Sequence, residues 1–191
     1  MMKKRNSLTK IALLMILLAG LSLPSQGQKY LTRNGMIRFY SDAPAEKIEA
    51  SNRLVNITLN GATGEMVLRL QMQSFVFDTA EMQDHFNKEY VESDKYPESD
   101  FSGKIINLKE VRLGKEGVYP VTVQGRLTLH NVTRDLTGTG TIEVKKDLLI
   151  AEVTFHLNLD DYQIAIPANL VNRISNTVQI TMHATLDKVI K

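Results

Sequence analysis

"LIAEVTFHLNL", residues 149–159, places Leu149, Ala151, Val153, Phe155, Leu157 and Leu159 on one parity and Ile150, Glu152, Thr154, His156 and Asn158 on the other. A period of two sends successive side chains to opposite faces of a strand. One face is therefore built for a core, and the other carries most of the polar groups. Eleven extended residues reach roughly 36 Å at about 3.3 Å per residue. So long a strand, apolar on one face only, fits the wall of a barrel better than a sandwich of short strands.

The same period recurs on both sides of this run. Met66, Leu68, Leu70 and Met72 alternate with Val67, Arg69, Gln71 and Gln73. Val121, Val123, Leu127 and Leu129 alternate with Thr122, Gln124, Arg126, Thr128 and His130. Val178, Ile180, Met182, Ala184 and Leu186 alternate with Gln179, Thr181, His183 and Thr185. Weaker strand patterns cover 36–40, 48–60, 100–108 and 135–145. Turn residues punctuate them at Asn60-Gly61-Ala62-Thr63-Gly64, Gly114-Lys115-Glu116-Gly117 and Lys146-Asp147. The expectation is an all-β fold, an eight-stranded antiparallel up-and-down barrel. Such a barrel either fills its interior with side chains or holds one small ligand.

Two segments break the period. Over 79–90, Met82, Phe86 and Tyr90 recur four apart, which predicts a helix capped near Asp78 or Thr79 with one apolar stripe. Over 167–174, Pro167 opens a second short helix with Leu170, Val171 and Ile174 facing inward.

The N-terminus reads as a secretory leader over 1–27. Lys3, Lys4, Arg5 and Lys10 are basic, Ile11 to Leu23 is a short apolar run, and Pro24 breaks it. Ser25-Gln26-Gly27 sets small residues where a signal peptidase cuts, so the mature domain is expected over 28–191. The leader takes four of the 23 basic residues, leaving 19 against 21 acidic ones, a formal −2. That balance offers no footprint for nucleic acid. The chain has no cysteine, so disulfides, thiolate chemistry and a lipoprotein anchor are excluded. An exported chain of this kind relies on its hydrophobic core.

Chemistry-bearing residues are sparse. His85, His130, His156 and His183 are scattered, and the last three fall on the polar side of their strands, which favours solvated histidines over a metal site. Asp84, His85 and Glu89 read as a solvated helix face with a His–Glu pair rather than an acid–base group. Gly138 and Gly140 lie in a Thr-Gly-Thr-Gly-Thr strand, where glycine relieves crowding or curvature. No catalytic residue, metal or cofactor is expected.

The expected site is the apolar interior. Leu68, Leu70, Met72, Phe75, Phe77, Leu127, Leu129, Phe155, Leu157 and Met182 would line it, and Met82, Phe86 and Tyr90 would cover its mouth as a lid. Methionine adapts to irregular contents. Such a set suits a long apolar ligand, while a plain packed core is the alternative.

Three stretches carry a family resemblance: "MQDHFNKEYVESDKYPESDF" (82–101), "VTVQGRLTLHNVTRDL" (121–136) and "FHLNLDDYQIAIP" (155–167). With them the chain resembles the YceI-like family of bacterial periplasmic polyisoprenoid-binding proteins. The resemblance implies a lipocalin-like barrel with a hydrophobic tunnel, a periplasmic location, an isoprenoid or fatty-acyl lipid as partner, and no enzymatic activity. Brief membrane contact would load it, and oligomeric state is left open, a dimer included. Asn131 stands where the family has glycine, which asparagine can replace in left-handed backbone. No histidine follows the Met36–Phe39 strand, another departure. A tail of about 40 carbons would gain roughly 30 kcal/mol on leaving water, yet exchange with a bilayer is near neutral, which suits a carrier. The alternative is a periplasmic interaction or stress-response module with a packed barrel core.

Overall fold

A computed structural model describes residues 28–189. The expected leader lies outside the described residues. The elements are β1 (Lys29–Asp42), β2 (Lys47–Asn60), β3 (Glu65–Gln71), β4 (Val76–Phe77), α1 (Ala80–His85), β5 (Glu98–Ile105), β6 (Gly117–Leu129), β7 (Val132–Val144), β8 (Leu148–Asn158) and β9 (Thr177–Lys188). Every pairing is antiparallel. The sheet closes through β1–β2 and β1–β9, giving an eight-stranded barrel in the order β1-β2-β3-β5-β6-β7-β8-β9. The two-residue β4 sits outside that ring, paired to Ala50 and Ser51 of β2.

The long alternating runs fold as their period predicts. Leu149, Ala151, Val153, Phe155 and Leu157 are all buried. The weaker patterns are weak for a structural reason. In β1 the register slips between Thr32 and Ile37, so Tyr30 faces inward on even parity and Ile37 on odd. A bulge inserts residues and flips the inward parity, which hides the period. The partner strand slips at the same place. There the buried Asn52 satisfies loosened backbone: its Nδ2 donates to the Gln71 carbonyl at 2.9 Å, and its Oδ1 accepts from Leu54 N at 2.9 Å.

β6 and β7 pair without a break from Gly117–Val144 to Leu129–Val132. Their two-residue turn is His130-Asn131, with φ of 51° and 60°. Two central residues at positive φ form the turn that matches strand twist, and Asn131 takes the left-handed place expected of it. His130 is therefore a turn residue. The expectation of a solvated strand histidine is wrong for it, although His156 and His183 do lie on strands.

The helix over 79–90 forms, with a change of pitch. Thr79 caps it, its Oγ1 accepting from Met82 N at 3.2 Å. From Phe86 to Tyr90 the turn widens to a π-helix, and Val91 N donates to the Phe86 carbonyl at 3.0 Å. The helix expected over 167–174 does not form. Leu170 N donates to Pro167 O and Arg173 N to Leu170 O, both at 2.8 Å, which makes a chain of turns. The Asn172 carbonyl is taken by Ala45 N at 2.8 Å, so this segment is also tied to the β1–β2 turn. Val171, expected to face inward, is exposed.

The two barrel ends differ. The short β2–β3 and β7–β8 turns and the β5–β6 loop close one end. The β3–β5 and β8–β9 connections, both long, crown the other.

Candidate functional site

A cavity of about 470 Å³ opens at the crowned end. It lies within the roughly 300–1,000 Å³ range of small-molecule pockets. Its walls are apolar inward residues of seven strands: Ile37 and Phe39 of β1, Ile48 of β2, Leu68 and Leu70 of β3, Phe101 of β5, Leu127 and Leu129 of β6, Leu136 of β7, Phe155 and Leu157 of β8. Val178 and Ile180 of β9 complete the ring. Beyond Phe101 and Phe155 the interior is solid. Val123, Ile105, Val153, Ala184 and Leu186 are buried there and touch no part of the cavity.

The lid is fastened by aromatic contacts. The Phe86 ring lies 4.9 Å from Phe77, 5.5 Å from Phe75 and 6.5 Å from Phe39. Such pairs contribute roughly 0.5–1.5 kcal/mol each beyond buried area. Met82 and Tyr90 line the cavity from the same helical stripe. Within the helix, Lys88 pairs with Asp84 at 2.7 Å and His85 with Glu89 at 2.8 Å. The Glu89 hydrogen bond and charge raise the His85 pKa. Both pairs are exposed, which matches the expected solvated face.

Just past the lid, Glu92 reaches back to the barrel. His130 Nε2 lies 2.9 Å from Glu92 Oε2, and its Nδ1 lies 3.1 Å from the Tyr162 carbonyl. The His130 side chain is 11% exposed. Tyr96 packs edge-on against the ring at 4.6 Å. The carbonyl only accepts, so Nδ1 carries the proton in that contact; an ionised Glu92 accepts from Nε2 when the ring is an imidazolium. Hydrogen bonding from His130 holds the Glu92 pKa below the usual carboxylate value. Burial pushes the Tyr162 phenol up to about 12, so it stays neutral. Pro97 fixes the return from this loop, its carbonyl accepting from Met72 N at 2.8 Å.

The rim is polar. Arg173 Nε donates to Glu46 Oε2 at 2.7 Å, joining the β8–β9 connection to the β1–β2 turn beside the mouth. Glu81, His85 and Glu89 edge the lid side. Among the described residues no group of three or more His, Asp or Glu is placed to hold a metal ion.

Twelve of the thirteen residues expected to line or cover the interior border the cavity: Leu68, Leu70, Met72, Phe75, Phe77, Met82, Phe86, Tyr90, Leu127, Leu129, Phe155 and Leu157. Met182 does not. It lies on the expected inward face and is 1% exposed, packed between Val153 and the cavity-lining Ile37 with which its strand pairs, but it does not reach the cavity itself. Period gives a face and does not say which side chain on it meets open space. The expected tunnel is likewise half a tunnel. Ile37, Phe39 and Ile48 escaped the sequence reading because bulges scramble their strands. Phe101 was also missed as a lining residue, although it stands out as the aromatic that closes the 82–101 stretch. Leu170 and Ile174, expected to face inward, do border the cavity although their segment is a chain of turns, whereas Ile164 comes from irregular backbone with no period to mark a face.

A sequence search finds no match among proteins of curated function. Solved structures share the fold at low identity. A polyisoprenoid binding domain from Saccharophagus degradans, implicated in plant cell wall breakdown, is 14% identical, with a TM-score of 0.72 over 85% of this chain and 99% of that one. BcnA from Burkholderia cenocepacia is 14% identical, with a TM-score of 0.65 over 80% of this chain and 95% of that one. A YCEI protein from Campylobacter jejuni is 14% identical, with a TM-score of 0.53 over 72% and 81%. The decisive match is in sequence, where the profile of the YceI-like domain covers residues 35–186, from the β1 bulge almost to the end of β9. This chain is a member of the YceI-like domain family.

Proposed function

We propose that this protein is a periplasmic carrier or buffer for an amphiphilic lipid, isoprenoid or fatty-acyl, whose tail lies in the half-barrel cavity. The observation that carries the reading is an apolar cavity of about 470 Å³ beneath an aromatic lid. A Saccharophagus degradans domain of the same fold is described as polyisoprenoid binding, which supports an isoprenoid ligand here. The role is binding rather than catalysis. Moving a tail from a bilayer into an apolar cavity changes its surroundings little, so loading and unloading are both accessible. A tight sink would need the full gain of leaving water, roughly 0.8 kcal/mol per methylene. The polar rim, with Glu46, Arg173, His85 and Glu89, keeps the head group at the mouth.

The test is uptake from phosphatidylethanolamine vesicles carrying a tritiated isoprenoid alcohol, followed by separation of protein from vesicles. The wild type retains label. Phe86→Asp, which puts a charge among three aromatic rings, loses most of it, while Asp84→Ala on the solvated lid face retains it. Equal loss in both variants would contradict the lid, and no label on the wild type would contradict the carrier.

A further inference from the structure

The cavity does not fade out; it ends on two rings. Phe101 from β5 and Phe155 from β8 meet inside the barrel with centroids 5.5 Å apart. Between those strands run β6 and β7, and at this level their inward residues are Gly125 and Gly138. A Cβ on Gly125 would lie 2.6 Å from Phe101 Cζ, and one on Gly138 would lie 2.4 Å from Phe155 Cδ1. Gly103 cradles the Phe101 ring in the same way, at 2.5 Å. Three glycines from three strands thus clear a bed on which two phenyl rings lie across the barrel. A smooth tunnel would need no such bed. Below the rings the packing is solid.

We propose that the Phe101–Phe155 floor is a stop that sets the length of tail this protein accepts. The inference rests on the carrier reading and adds the class of ligand: a single tail of moderate length. An apolar cavity of about 150 Å³ takes a six-carbon benzene ring, or about 25 Å³ per carbon. At that ratio a cavity of about 470 Å³ holds at most about 19 carbons. That is one ordinary acyl chain, or an isoprenoid of three to four units. A longer tail leaves its surplus carbons at the wet mouth, where they gain nothing. Phe101 and Phe155 are then specificity-determining residues, and the glycines beneath them are positioning residues.

The experiment measures affinity for two series of primary alcohols, linear and all-trans isoprenoid, from about ten to about forty carbons. Wild type, Phe155→Leu and Leu136→Phe are compared. In the wild type, affinity from water rises about fourfold per carbon and then levels at about 19 carbons. Phe155→Leu removes three carbons from the floor and moves the break up by about three. Leu136→Phe adds three to the wall and moves it down by about the same number. Circular dichroism and a urea midpoint for each variant keep a folding defect apart from a shifted limit. Affinity that keeps rising past about 25 carbons in the wild type, or one break shared by all three folded proteins, overturns the stop. No binding at any length overturns the carrier reading itself and the stop with it.

Discussion

At the closed end of the barrel Leu149, Val55 and Ile57 are wholly buried and fill the space between the walls. At the crowned end Leu70, Leu127 and Ile180 sit on the same inward faces yet remain partly open, because they border a cavity. In β3, β6, β8 and β9 the period that turns apolar residues inward does not change from one end of the barrel to the other. What changes is how the ends are covered. Two short turns and one loop shut the closed end, so side chains from all walls meet. Two long connections hold the other end open and roof it with Phe86. Burial near the closed turns is a matter of stability. Partial burial beneath the lid is stability given up to leave space.

The sharpest way to break this comparison is to truncate one leucine in each half. Leu149→Ala is expected to cost about 3–5 kcal/mol, since a wholly buried site leaves a void. Leu70→Ala, which only widens an existing cavity, is expected to cost about 1 kcal/mol. Urea unfolding midpoints decide it, and equal costs would mean the halves are packed alike. Gly138→Ala probes the boundary between them. Its new methyl would crowd the Phe155 ring at 2.4 Å and the Thr154 carbonyl at 2.8 Å. A loss of about 1–3 kcal/mol is expected for such overpacking, together with a changed tail limit as the ring is displaced.

The smallest expected effect concerns how the lid is held. Glu92 is depressed by its hydrogen bond from His130, with Lys95 adding attraction. The Tyr96 ring packs edge-on against His130, and the Tyr162 carbonyl holds its other ring nitrogen on the barrel side. A carboxylate with a lowered folded pKa stabilises its contact above the ordinary carboxylate pKa and loses that contribution as pH falls through the lowered value. Release of a bound polyene alcohol, followed by stopped-flow fluorescence, should quicken as pH falls through that acid range. Glu92→Gln should release faster at neutral pH and show a weaker acid step. An unchanged acid step would remove Glu92 from the latch.

The closed half was the more legible in sequence. Its turns announce themselves in Asn60-Gly61 and Lys146-Asp147, and the runs at 121–129 and 149–159 keep their period across it. The open half is built from what breaks period. Bulges in β1 and β2 break the alternation that would have marked Ile37 and Phe39 as inward. The segment at 167–174 is a chain of turns with one backbone bond to the β1–β2 turn, and it keeps no regular period. His130 looked like one more strand histidine until its turn brought it to Glu92, which is 38 residues away in sequence. The helix at the mouth was legible because the stripe Met82, Phe86 and Tyr90, spaced four apart, survives the change to π pitch.

Native mass spectrometry on the protein purified from a bacterial periplasm, with organic extraction of the same sample, tests the central claim most directly. The expected result is a bound mass that extraction removes and that belongs to a molecule with one apolar tail of about 19 carbons or fewer. A bare protein mass, unchanged after incubation with a total lipid extract, would contradict it.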